Sequence, residues 1–188
     1  MRTELVLPSR AALLAALRPQ LTGPAWTLLI DGGSGSGKTT LAAWLAPRLQ
    51  AEVLAMEVLY PGWSGLAAAA DLLATRVLPA RAAGRVVAWR EWDWAARAPG
   101  RPVLLHPGRP LIVEGCGALT PRSRPFATVA LLLQVDDGLR ARRAERRDPH
   151  TRQGRLAAWR DDERRVQARR PPVADLLLRG GVASVGID

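Results

Sequence analysis

The chain has 188 residues, with 27 basic side chains against 17 acidic ones and a formal net charge of +10. That length favours one domain, and with 48% apolar residues it can bury a full core, which argues against a disordered polypeptide. A single cysteine, Cys116, excludes an internal disulfide framework, and no apolar run approaches the ~18 residues of a membrane helix, the longest lying around Thr128 to Val135.

The first ten residues, MRTELVLPSR, lack the apolar segment of a signal peptide, so a cytoplasmic protein with no membrane partner is expected. Ser9 to Leu17 reads as a leading helix added to the core. Ala25 to Ile30 (AWTLLI) reads as a buried strand, and Leu41 to Leu49 as an apolar helix. Between them, residues 32 to 39 read GGSGSGKT, which fits the Walker A pattern with Gly32, Gly37, Lys38 and Thr39 in the fixed places. Gly33, Ser34, Gly35 and Ser36 supply the turn, and Gly37, Lys38, Thr39 and Thr40 open the helix. Glycines let successive N–H groups converge, and the helix start adds partial positive charge, so the segment is a nest for phosphate. Lys38 is expected to reach the β and γ phosphates of ATP, and Thr39 to ligate Mg2+ through its hydroxyl.

Lys38 carries further information. Of the 27 basic residues 26 are arginine, a bias that reads as a coding preference rather than as a nucleic-acid surface, so no nucleic-acid partner is expected. A lysine that survives such a bias marks a place where a compact ammonium is needed and a forked guanidinium does not serve. The same scarcity rules out the guanine-reading N-K-x-D motif, and no L-S-G-G-Q run of transport ATPases occurs. A compact kinase is the class that fits.

Such an enzyme needs a base for the acceptor hydroxyl, an acid for the metal and cations for the developing charge. Ala51 to Met56 reads as a second strand with Glu57 at its carboxyl end, and Glu57 is the candidate base. The loop after it holds Tyr60 and Trp63, which suit a substrate wall. Val86 to Arg97 (VVAWREWDWAAR) crowds Trp89, Trp92 and Trp94 around Asp93, offering indole faces for a planar base and a carboxylate for sugar hydroxyls, with Arg97 beside them. Pro110 to Val113 ends in Glu114, the candidate metal carboxylate, preferred over Asp136 and Asp137 because Asp137 reads as the N-cap of the following helix. From Arg140 to Arg170 the chain holds twelve arginines, with Arg140, Arg143 and Arg147 on one helical face. These helices are expected to close over ATP as a lid, while Glu145, Asp161, Asp162 and Glu163 offer ordinary surface partners.

Taken in order, the Walker loop, the acid before LYPGW, Trp92-Asp93, Val113-Glu114-Gly115, Arg147-Asp148 with Gly154-Arg155, and Ala174-Asp175-Leu176 resemble the P-loop nucleoside kinases of the uridine kinase-like family over roughly residues 25 to 180. The resemblance implies transfer of the γ phosphate of ATP to a nucleoside hydroxyl. Within the arginine-rich lid, Arg147 is expected to act in catalysis and Arg143 and Arg155 on the nucleotide. The family has aspartate where this chain has Glu57, which moves the carboxylate about 1.5 Å. It also has a histidine after the aromatic-Asp pair, where this chain has Ala95, Ala96 and Arg97. The acceptor therefore extends to a nucleoside monophosphate or another small alcohol, and a nucleotide-binding regulatory protein with weak turnover is the alternative class.

The expected architecture is a single three-layer α/β domain of the P-loop NTPase type, mostly parallel, with helices on both faces. Its core covers about residues 25–135 and 172–188, its lid about 140–170 and its leading helix about 9–18.

Overall fold

Leu28, Leu29 and Ile30 are completely buried on the strand that precedes the glycine loop. A strand apolar on both faces needs cover on both. The computed structural model describes residues 9–147, 155–168 and 174–179. In chain order these hold helix α1 (Arg10–Leu17), strand β1 (Thr27–Gly32), helix α2 (Lys38–Leu49), strand β2 (Glu52–Ala55) and a 3-10 turn at Met56–Val58. A helical segment follows, made of α3 (Leu66–Leu72), a π-helical stretch (Leu73–Val77) and α4 (Leu78–Ala82). After it come strands β3 (Val87–Asp93), β4 (Ala98–Leu105), β5 (Leu111–Glu114) and β6 (Val129–Gln134), helices α5 (Asp137–Arg147) and α6 (Arg155–Ala168), and strand β7 (Leu176–Arg179).

Five strands form a parallel sheet in the order β2-β5-β1-β6-β7, and β3 pairs with β4 in a separate antiparallel ribbon. β1 is central, with Leu28 opposite Ile112 of β5 on one side and opposite Val129 of β6 on the other. The chain leaves β1 toward β2, and only after β5 does it cross to β6 and β7. The order therefore reverses beside β1, and the crevice at the carboxyl ends of these strands is where open α/β sheets bind ligands.

Successive residues of a strand point to opposite faces, and the core divides accordingly. Leu28 and Ile30 face Leu13 and Leu17 of α1 and Leu41 and Leu45 of α2. Leu29, Leu111 and Val113 face Leu66, Leu73 and Val77 of the helical segment and Trp159 of α6. Helices thus cover both faces, in three layers.

Local chemistry sets the helix starts. Ser9 Oγ accepts the Ala12 N–H at 3.1 Å and caps α1, a contact worth about 1 kcal/mol. At α5 the capping oxygen differs from the expectation: Asp136 Oδ1, not Asp137, accepts the Leu139 N–H at 2.9 Å. Asp137 sits inside the first turn, where its charge suits the helix N-terminus, and pairs with Arg140 at 2.7 Å. Among the described residues no helix is long and apolar enough to cross a membrane.

Candidate functional site

The glycine loop lies at the carboxyl end of the central strand. Gly32, at φ +154°, runs so close to β6 that a Cβ there would stand 2.6 Å from the Leu133 carbonyl. Gly37, at φ +93°, turns the chain into α2. Between them the Ser36 N–H bonds the Gly33 carbonyl at 3.2 Å, closing the turn, and the Ser36 side chain is buried within it. A tight turn leading straight into a helix is the backbone arrangement that binds anions. The buried Lys38 folds along the loop, donating from Nζ to the Gly33 carbonyl at 2.9 Å, with Cys116 Sγ 3.6 Å away.

Two carboxylates fix the loop to its surroundings. Asp31 is fully buried; its Oδ1 accepts the N–H groups of Gly32 at 2.5 Å and Gly117 at 3.2 Å, and its Oδ2 accepts that of Leu119 at 2.8 Å. This ties the start of the loop to the turn after β5. Glu114, buried at the end of β5, accepts the Thr39 hydroxyl at 3.0 Å on Oε1. A hydroxyl and a carboxylate this close suit Mg2+, which takes one or two protein oxygens and fills its octahedron with phosphate oxygens and water. Among the described residues no group of three or more His, Cys, Asp or Glu side chains could hold a metal ion.

These groups open into one cavity of about 490 Å³. It is lined by Ser34, Gly35, Gly37, Lys38, Thr39 and Thr40 of the loop and helix start, by Glu114 at the end of β5 with Cys116 after it, and by Arg143 of α5. Glu57, Tyr60, Trp94 and Trp159 line the same cavity. Glu57 is exposed within the 3-10 turn after β2, and its backbone carbonyl accepts the Trp94 indole N–H at 3.4 Å. Tyr60 is buried and donates its hydroxyl to the Cys116 carbonyl at 2.9 Å. Burial first, and then Cys116, Asp31, Glu114 and Glu57 around it, push the phenol well above its ordinary value, so it remains a donor. Burial likewise pushes the Cys116 thiol up to about 12, so this sulfur stays protonated.

Not every expected residue meets at this cavity. Trp63 stands behind the lining, edge-on to Trp94 at 5.4 Å and to Trp159 at 6.2 Å. Trp92 does not line the cavity; its ring lies over the Gly62 turn, 3.7 Å from where a Cβ would be. Asp93 is exposed, and its Oδ1 is occupied by the N–H groups of Ala95 and Ala96, both at 2.9 Å, which makes it the closing residue of the β3–β4 turn rather than a cavity group. Arg97 is exposed in the same turn at φ +52°. The irregularity between Arg90 and Trp92 shifts the strand register, and it is Trp94 that reaches the cavity. The side chains of Arg147 and Arg155, and the Asp148 and Gly154 positions between them, lie outside the described residues.

The arginine-rich helices hold a second departure. Glu163 is no surface partner: it is 3% exposed, with its carboxylate against the glycine loop. Its Oε1 accepts the Ser34 backbone N–H at 2.6 Å, the Trp159 indole N–H at 3.0 Å and the Cys116 thiol at 3.1 Å. Its Oε2 accepts from Arg140 Nη1 at 3.3 Å, and the same nitrogen donates to the Ser34 carbonyl at 3.2 Å. Asp31, Cys116, Trp159 and Glu163 were not legible as site residues from pattern alone. One signal existed: Trp159 and Glu163, at i and i+4, place the helix's aromatic ring and a carboxylate on one face of an otherwise charged helix.

No protein-family model matches the sequence, and no curated protein gives a significant match. Solved structures do match. A protein named as a possible uridine kinase from Bacillus stearothermophilus superposes with a TM-score of 0.60 at 18% identity, covering 90% of this chain and 96% of its own. A protein provisionally named a fructose transport system kinase, from Silicibacter sp. TM1040, gives 0.57 at 21% identity, covering 90% and 98%. Shikimate kinase from Acinetobacter baumannii, in complex with shikimate, gives 0.51 at 16% identity, covering 89% and 90%. The likeness is one of fold. The chain has the three-layer P-loop NTPase architecture of these kinases, with a mostly parallel sheet and helices on both faces.

Proposed function

We propose that the protein is an ATP-dependent phosphotransferase that moves the γ phosphate of ATP to a hydroxyl of a small, nucleoside-like acceptor. One observation carries this reading: a Walker loop with its lysine and the Thr39–Glu114 pair opens into the same cavity as Glu57, Tyr60 and Trp94. Bound Mg-ATP supplies the phosphoryl group and a cation that spreads its charge. The loop N–H groups and the Lys38 ammonium hold the phosphates, and Thr39 and Glu114 hold the metal. Glu57 accepts the proton of the acceptor hydroxyl at a carboxylate oxygen as that hydroxyl attacks. Arg143, with Arg147 and Arg155 of the same arginine-rich region, stabilises negative charge on the transferring group, and this region acts as a lid on a single kinase domain.

The acceptor is the less constrained partner. Because Trp92, Asp93 and Arg97 stand away from the cavity, the wall beside Glu57 consists of Tyr60, Trp94 and Trp159, which suits a small hydroxyl compound with an apolar face. A nucleoside is one such compound; the neighbours in fold are named for acceptors as different as uridine and shikimate. The test is an ATP-consumption screen over nucleosides, nucleoside monophosphates and small alcohols, with Lys38→Ala as blank. Acceptor-dependent consumption that the variant lacks is the expected result. Consumption by no acceptor at all would instead favour a nucleotide-binding regulatory protein.

A further inference from the structure

A carboxylate of the protein's own already sits on a backbone donor of the glycine loop, Glu163 on the Ser34 N–H. We propose that Glu163 is an internal occupant of the phosphate cradle, a carboxylate that the terminal phosphate of a nucleotide must displace, and that its displacement releases the Trp159 wall of the acceptor pocket. The inference rests on residues 32–39 being a phosphate cradle and deepens that reading to its regulation.

The geometry is specific to a latch. Oε1 takes the backbone N–H of Ser34, a donor of the loop turn itself, at 2.6 Å. Burying a carboxylate is costly unless it is hydrogen-bonded. Here the indole of Trp159, the thiol of Cys116 and the guanidinium of Arg140 complete its shell. The partners all belong to groups around the loop, and the residue is 3% exposed. A phosphate oxygen seeking the Ser34 N–H meets a group of the same charge on the same donor, so the two compete.

The second half follows from α6. Trp159 lies one turn before Glu163, donates to the same Oε1, and presents its ring edge-on to Tyr60 at 4.9 Å and to Trp63 at 6.2 Å. The helix therefore touches the cradle through Glu163 and the acceptor wall through Trp159. When Glu163 leaves the loop, Trp159 loses its indole partner, and one helix carries the change from the cradle to the acceptor wall. Glu163 is in these terms a positioning residue, acting through α6 and the loop rather than on the reacting atoms.

The test measures binding of inorganic tripolyphosphate by calorimetry, without acceptor, to the unmodified protein, Glu163→Ala and Glu163→Gln. Giving up a charge-assisted hydrogen bond weakens a competitor by about tenfold, so Glu163→Ala should bind about tenfold more tightly than the unmodified protein. Glu163→Gln, which keeps the shape and a neutral acceptor for Ser34, should fall between. Tripolyphosphate should also change the tryptophan emission of the unmodified protein, and Trp159→Phe should lack that change. Equal or weaker binding by the folded Glu163→Gln variant, or an emission change that survives in Trp159→Phe, overturns the proposal and leaves the cradle standing. Absence of tripolyphosphate binding in all proteins overturns both the proposal and the phosphate reading beneath it.

Discussion

Replacing Asp31 by asparagine changes one atom in a fully buried group that ties the glycine loop to the turn after β5. The carboxylate accepts three backbone N–H groups on two oxygens, from Gly32, Gly117 and Leu119. An amide supplies only one acceptor oxygen. Whichever way it turns, its NH2 faces at least one backbone N–H, donor against donor, in a place with no solvent. Hydrogen bonds to charged groups contribute about 1.5–3 kcal/mol and a stranded buried donor costs about 1–3 kcal/mol, so the substitution should destabilise by about 2–4 kcal/mol. For a chain of this size each kcal/mol shifts Tm by about 2–4 °C, which gives a drop of about 5–15 °C. Thermal unfolding followed by circular dichroism measures it, and tripolyphosphate affinity should fall with it, because the same carboxylate ties the loop to the turn after β5. A variant melting within about 2 °C of the unmodified protein would refute the view that Asp31 holds the loop.

Other substitutions separate chemistry from architecture. Glu57→Gln should leave Tm unchanged, since the side chain is exposed, and should lower kcat by about 100-fold or more; unchanged kcat would remove Glu57 from the base role. Cys116 gives a pH dependence with a definite sign. Its thiol titrates at about 12 in the folded protein against 9.0 for an ordinary thiol, so the unfolded chain loses its proton first. Stability from this group is full below pH 9 and is lost as pH rises toward about 12, a fall that Cys116→Ala should flatten when unfolding is followed across that range.

Much of this molecule was readable from local pattern. Strand β1, the loop and α2 follow from an apolar run, spaced glycines and a periodic helix, all within a short stretch of chain. The place of Glu114 at the end of β5 was readable for the same reason, because a carboxylate closing a buried strand stands out against Leu111, Ile112 and Val113. What escaped depends on pairing and distance. β4 runs through Pro99 and Pro102, residues that argue against a strand, yet it pairs only with β3, and a proline with no ladder bond to donate is tolerated on such an edge. Trp94, which lies in the turn after β3, lines the cavity whereas Trp92 does not. The contact of Glu163 with Ser34 spans 129 positions and rests on the fold of α6, which no local pattern encodes.

The central claim is phosphoryl transfer at the loop that Lys38 serves. With ATP labelled in its γ phosphate, the label should move to an acceptor hydroxyl in the presence of the unmodified protein and stay on ATP with Lys38→Ala. Equal transfer by both proteins, or label released only as inorganic phosphate whatever acceptor is present, would contradict the account.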